Sequence, residues 1–127
     1  MQRSKKAFGT HDFDQGGFGD TVVMEEPFVH KIPDGMSMEA ASVLQCAGAT
    51  VMGAIINAEV HPFDRVGVWS IGGLGHLALG FLKGMGCQVV AFSTTSAKKE
   101  EAMRLGAHEF VATKEKGGRI QPVDKML

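Results

Sequence analysis

Val66-Gly67-Val68-Trp69 is a short apolar run that opens onto a glycine-rich stretch, Ser70-Ile71-Gly72-Gly73-Leu74-Gly75. Beyond it, Leu74, Leu77, Ala78, Phe81, Leu82 and Met85 recur at i, i+3, i+4, i+7, i+8 and i+11, which places them on one helical face. Gly86 stops that pattern, and Gln88-Val89-Val90-Ala91-Phe92 reads as a second, largely buried strand. The pattern from Val66 to Phe92 therefore predicts strand, turn, helix and strand, a crossover that should be right-handed and parallel. Gly80 and Gly84 each disfavour the helix by roughly 1 kcal/mol relative to Ala, so packing must hold it.

The same reading extends along the chain. Gly16-Gly17-Phe18-Gly19-Asp20 marks a turn before a short strand over Thr21-Val22-Val23-Met24, and Phe28-Val29-His30-Lys31-Ile32 is expected to be another. Pro33-Asp34-Gly35 is a turn, after which Ser37 is placed to cap a helix with Glu39 in its first turn. That helix should run to about Ala58 with a break near Gly48, and His61-Pro62-Phe63-Asp64 should be a loop feeding the first strand of the crossover. Ala97 to Leu105 predicts a short helix ended by Gly106, Glu109-Phe110-Val111-Ala112 a third strand, and Lys114 to Arg119 a solvated loop. Pro122 to Leu127 approaches a fourth strand. A doubly wound sheet usually has about five or six strands. An unpaired edge is therefore expected: either the chain is a piece of a larger sheet or a partner covers that edge.

Composition narrows the class. A chain of 127 residues with 44% hydrophobic and 21% charged residues is long enough for a core. Its net charge of -1, with Lys5-Lys6, Lys98-Lys99, Lys114 and Lys116 set among acidic or apolar residues, argues against a nucleic-acid partner. Gln45, Asn57, Glu59, Arg65 and His76 interrupt the apolar stretches, so no membrane span of about 20 residues is expected. Met1 to Asp12 lacks the apolar region of a signal peptide, and the expected location is the cytoplasm. Cys46 and Cys87 form neither a C-x-x-C pair nor a disulfide framework, and no local metal-ligand spacing is present. The absence of a G-x-S-x-G elbow and of a Walker-type loop removes most support for hydrolase and nucleoside-triphosphatase readings.

The glycine-rich turn is the main candidate for chemistry. A strand that passes through such a turn into a helix brings backbone N–H groups and a positive helix end up to a pyrophosphate, which points to a dinucleotide. Ser70 stands where the first glycine of G-x-G-x-x-G would be, and a glycine turn needed only for close packing is the plainer alternative. His76, in the helix after the turn, is read as neutral and structural, because a charged imidazole would oppose the helix end.

With these elements in view, the chain resembles the zinc-containing medium-chain alcohol dehydrogenases, in particular their cinnamyl-alcohol-dehydrogenase-like branch. The segments that carry the resemblance are Gly16-Gly17-Phe18, Ile32 to Gly35, Leu44-Gln45-Cys46-Ala47-Gly48-Ala49-Thr50-Val51, Val66 to Leu77, and Phe92 to Gly106. The resemblance implies an α/β fold: a partial Rossmann doubly wound parallel sheet preceded by the tail of a GroES-like β domain and a linking helix. Residues 1–35 would be that tail, and residues 36–127 the linking helix with the first half of the NADP-binding domain. It further implies that Cys46 is a ligand of a catalytic Zn²⁺ and that Thr50 lies near the nicotinamide. From the residues alone, Cys46 reads as a small buried hydrophobe and Thr50 as a helix Thr bonded back to a carbonyl.

Cofactor preference follows from a missing acid. NAD sites usually place Asp or Glu about 20 residues beyond the glycine turn, on the ribose 2′-hydroxyl. Here Phe92-Ser93-Thr94-Thr95-Ser96 fills that place, and no acid precedes Glu100. Hydroxyls followed by a cation suit a 2′-phosphate, and the NADP-preferring members of the family have a similar run, corresponding to Ser93, Thr94, Thr95 and Lys98. The expected cofactor site is therefore Thr50, Ser70, Ile71, Gly72, Gly73, Leu74, Gly75, Ser93, Thr94, Thr95 and Lys98, with Cys46 for metal. The function so implied is part of an NADP(H)-dependent dehydrogenase that interconverts primary alcohols and aldehydes, with small-molecule substrates and room for a homodimer. This chain by itself is expected to be inactive, because Cys46 is the only residue matching a family zinc ligand. The rival readings are a non-catalytic dinucleotide-binding or interaction remnant and a zinc-free reductase of the same superfamily.

Overall fold

The computed structural model describes residues 19–21, 25–115 and 121–127, and the chain divides into two units, Met1–Gly35 and Met36–Leu127. In the first unit, the described residues hold one 3₁₀ turn, Glu26–Phe28, with Pro27 near its start, where a missing N–H costs nothing. The strand expected over Phe28 to Ile32 is not formed: Val29 is extended, but no described strand pairs with it. The strand expected over Thr21 to Met24 falls largely outside the described residues. Gly35, at φ +89°, closes the expected turn.

The second unit begins where the sequence placed its cap. The Ser37 hydroxyl accepts the Ala40 N–H at 3.2 Å, and α1 runs over Met38–Val43. The expected break at Gly48 is instead a widened π turn, Leu44–Gly48, that leads without interruption into α2, Ala49–Asn57. A Cβ on Gly48 would lie 2.9 Å from Leu44 Cδ2, so glycine lets the wider turn close. This continuity corrects one expectation. Met38–Asn57 is long and apolar enough, by length and composition alone, to cross a membrane. In this fold Val51 and Ile55 of the helix are buried in the core shared with the sheet.

Four parallel strands follow: β1 (Arg65–Trp69), β2 (Gln88–Ser93), β3 (Glu109–Ala112) and β4 (Lys125–Met126), in the spatial order β3-β2-β1-β4. Between them lie α3 (Gly73–Gly84), a 3₁₀ turn (Ser96–Lys98) and α4 (Lys99–Leu105). The order reverses direction between β1 and β4, which makes a crevice at the carboxyl ends of these strands, the place where doubly wound sheets take ligands. This is the 3-2-1-4 strand order found in Rossmann-type sheets.

Strand alternation assigns the two faces. Val66 is paired with Val89 and Val68 with Ala91, and all four are buried in one cluster with Ala78, Leu79 and Leu82 of α3. The stripe of α3 that meets the sheet is Gly75, Ala78, Leu79 and Leu82, one step round from the expected one. Leu79 is fully buried, whereas Leu74 is half exposed and Leu77, Phe81 and Met85 pack at the side. The other face carries Gly67, Trp69, Phe92 and Met126, with the Trp69 and Phe92 rings stacked at 5.8 Å. Gly86 at φ +86° stops α3 as expected, and Gly106 at φ +124° stops α4. The last strand is seated by reciprocal bonds: Asp124 accepts the Arg65 N–H through its carboxylate and donates its own N–H to the Arg65 carbonyl, both at 2.7 Å. An ion pair between Arg65 and Glu109 joins β1 to β3 across the intervening strand.

Candidate dinucleotide-binding site

The turn between β1 and α3 is built by two constraints. Ser70 N–H donates to the Phe92 carbonyl at 3.0 Å, which fixes the turn to the end of β2, and Ser70 itself adopts φ +72°. The sequence flags this position as the departure from glycine, and the structure shows why glycine suits it. Gly75 lies against the same residue: a Cβ there would be 2.1 Å from the Ser70 carbonyl oxygen. Gly72 and Gly73 are the opposite case, since a Cβ at either would meet nothing within 4 Å. Gly75 thus serves packing, whereas Gly72 and Gly73 keep an open approach to the backbone.

That backbone is unoccupied by its own side chains. α3 has no side-chain cap and no acidic residue in its first turn. Its first internal bond is His76 N–H to the Gly72 carbonyl at 2.8 Å, which leaves the N–H groups of Gly73, Leu74 and Gly75 at the helix end without an intrahelical partner. Three donors and the helix dipole converge there. Ile71 is buried, so it contributes its carbonyl rather than its side chain.

The second predicted cluster lies beside the first. Ser93 ends β2 half-buried, and Thr94 and Thr95 are exposed in the loop that follows. Lys98 reaches back from its 3₁₀ turn, and its Nζ donates to the Ile71 carbonyl at 2.5 Å. One ammonium thereby joins the hydroxyl run to the glycine turn. Phe92, the first residue of the run that stands where an acid is usual, is stacked on Trp69.

Thr50 comes from a different element, α2. It lines a mostly apolar cleft of about 250 Å³ with Ala54, Trp69, Leu74, Gly75 and Leu127. Its hydroxyl donates to the Cys46 carbonyl at 2.8 Å, the back-bond expected of a helix Thr. Cys46 is exposed rather than buried. Among the described residues no three His, Cys, Asp or Glu side chains are grouped to hold a metal ion. Cys46 is a chemically suitable single zinc donor, but a catalytic zinc takes about three protein ligands, so the described residues do not fit a complete site.

Of the remaining candidates, His108 and Cys87 make structural contacts. His108 Nδ1 accepts the Val89 N–H at 3.0 Å, and the Cys87 thiol is buried and points at the His61 carbonyl. Burial, aided by the Asp64 carboxylate, pushes the Cys87 thiol pKa up. His76 is exposed on α3, and His11 lies outside the described residues. Sequence reasoning missed Trp69 and Leu127, which line the cleft. The signal for both was pairing between distant segments, which linear spacing does not carry.

Comparison with known proteins agrees with this geometry. A parallel sheet with a glycine turn at its switch point defines a dinucleotide-binding α/β protein. Residues 73–127 match the zinc-binding dehydrogenase family. The chain is 42% identical over 96 residues to the aldehyde reductase AdhA of Synechocystis, covering 76% of this chain and 29% of that protein. It is 41% identical over 105 residues to cinnamyl alcohol dehydrogenase 8 of Arabidopsis thaliana, covering 79% and 28%. The structure of CAD from Helicobacter pylori complexed with NADP(H) superimposes with a TM-score of 0.64 at 27% identity, covering 72% of this chain and 26% of that one. The chain is similar to the zinc-containing medium-chain alcohol dehydrogenases, in particular their cinnamyl-alcohol-dehydrogenase-like branch, and spans between 23% and 32% of the length of the curated relatives it matches.

Proposed function

We propose that this chain is the NADP(H)-binding part of a zinc-type alcohol dehydrogenase that interconverts primary alcohols and aldehydes. The observation that carries the cofactor reading is the bond from Lys98 to the Ile71 carbonyl, which brings the cation that follows the Ser93-Thr94-Thr95 run to the glycine turn, with no acid from Phe92 to Lys99. In this reading the N–H groups of Gly73, Leu74 and Gly75 hold the pyrophosphate, and Lys98 with the hydroxyl run meets the 2′-phosphate. Thr50 and Leu74 shape the apolar cleft that would take the nicotinamide and shelter it from water. When bound, the nicotinamide supplies or accepts the hydride. Cys46 would contribute one zinc ligand. The names of the relatives support an alcohol or aldehyde substrate.

The test is isothermal titration with NADPH and NADH. Tighter binding of NADPH, with the gap narrowed by Lys98→Ala, is the expected result; equal affinities would sink the assignment of Ser93, Thr94, Thr95 and Lys98 to the phosphate.

A second reading, a non-catalytic dinucleotide-binding or interaction remnant, is favoured by one observation: among the described residues no three His, Cys, Asp or Glu side chains are grouped to hold a metal ion with Cys46 or elsewhere. It predicts no zinc-dependent NADPH oxidation with a panel of aliphatic and aromatic aldehydes. Chelator-sensitive turnover by the purified chain would reject it.

A further inference from the structure

The segment after β3 runs alongside the hydroxyl loop. Thr113 N–H donates to the Ser93 carbonyl at 2.8 Å and Lys114 N–H to the Thr94 carbonyl at 3.1 Å. Glu115 follows on the exposed side of the loop, and its Oε1 accepts the Ser96 N–H at 2.9 Å. A carboxylate therefore stands within the loop that, on the reading above, receives the 2′-phosphate. Lys98, the cation of this loop, is bonded to a neutral carbonyl rather than to Glu115, so the two charges act separately on whatever enters.

We propose that Glu115 is a specificity-determining residue of the nucleotide site, opposing a phosphate at the ribose 2′ position and tolerating a free 2′-hydroxyl. The inference rests on the cofactor reading above. A phosphate monoester is close to a dianion at neutral pH, and a nearby carboxylate repels it. The same carboxylate also holds the Ser96 N–H, a donor that an entering phosphate could otherwise use. A free 2′-hydroxyl, in contrast, can donate to a carboxylate, as it does to the acid after the second strand in NAD sites. Here the acid comes from the end of β3 instead. The discrimination between the two dinucleotides is then set jointly by Lys98 in favour of the phosphate and Glu115 against it. Both groups are in solvent-exposed segments, so screening keeps the effect modest.

Trp69, the only tryptophan in the chain, stacks on Phe92 at the end of β1 and reports on the site by its fluorescence. NADPH and NADH are titrated against the full chain, Glu115→Gln, Glu115→Ala and Lys98→Ala, at low and high salt. Both Glu115 variants should tighten NADPH roughly threefold to fivefold while leaving NADH within about twofold, and the gain should shrink in high salt. An unchanged NADPH-to-NADH ratio in both variants, or equal tightening of both cofactors, overturns the inference. If NADPH binds, weakens with Lys98→Ala and is indifferent to Glu115, the inference fails and the proposed function stands. If no variant binds NADPH, both fail.

Discussion

The carbonyl oxygen of Ser70 lies where a side chain on Gly75 would have to be, 2.1 Å from an ideal Cβ at that residue. The contact is backbone on one side, so no rotamer change can relieve it. Gly75→Ala should destabilise the chain by about 3 kcal/mol, in the upper range for overpacking. Gly72→Ala, with open space around it, should leave stability nearly unchanged. Urea unfolding of the two variants measures this; a Gly75→Ala variant as stable as Gly72→Ala would refute the close approach.

Ser70 itself holds φ +72°, a conformation that side chains disfavour. Ser70→Gly should relieve that strain and stabilise the chain by about 0.5–1 kcal/mol after the entropy cost of glycine is deducted. The same denaturation experiment checks it, and a loss of stability would show that the Ser70 side chain contributes something its strained backbone conceals.

Gly67 tests the other face of the sheet. A Cβ there would meet Met126 Sδ at 2.7 Å and Phe92 Cε2 at 2.9 Å. Met126 can move; Phe92 is held in its stack on Trp69. Gly67→Ala should cost about 1–3 kcal/mol and shift the Trp69 emission. Unaltered emission together with unaltered stability would contradict this packing.

Among the described residues, Cys87 contributes an alkaline component to the pH dependence and Glu39 an acid one. Cys87 keeps its proton in the fold to higher pH than in the unfolded chain, where its ordinary value is 9.0. Its contribution is therefore complete below pH 9.0 and is lost as pH rises through the folded value. Glu39 has the opposite sign: hydrogen bonds from its own backbone and from Ser37 lower its pKa from 4.5, so its contribution is present above that value and fades as pH falls through the folded one. Thermal melts across pH should lose their alkaline slope in Cys87→Ala and lose part of their acid slope in Glu39→Gln. Parallel profiles for parent and variants would exclude both contributions.

The local sequence determined a good deal of this protein, because several of its features are set by neighbours in the chain. Ser37 caps a helix through a residue three positions on, Gly86 and Gly106 stop helices by their own dihedrals, and the runs at Val66, Gln88 and Glu109 are strands through β propensity and burial. The glycine turn was legible for the same reason. Tertiary structure decided what depends on distant partners. Phe28 to Ile32 has a strand's composition and no described strand beside it. The π turn at Leu44 to Gly48 carried the helix through an expected break, and sheet contact chose Ala78, Leu79 and Leu82 as the buried stripe of α3. Lys98 came to the Ile71 carbonyl and Glu115 to the Ser96 N–H across 27 and 19 residues, because parallel pairing of β1, β2 and β3 aligns the ends of strands that the sequence holds far apart.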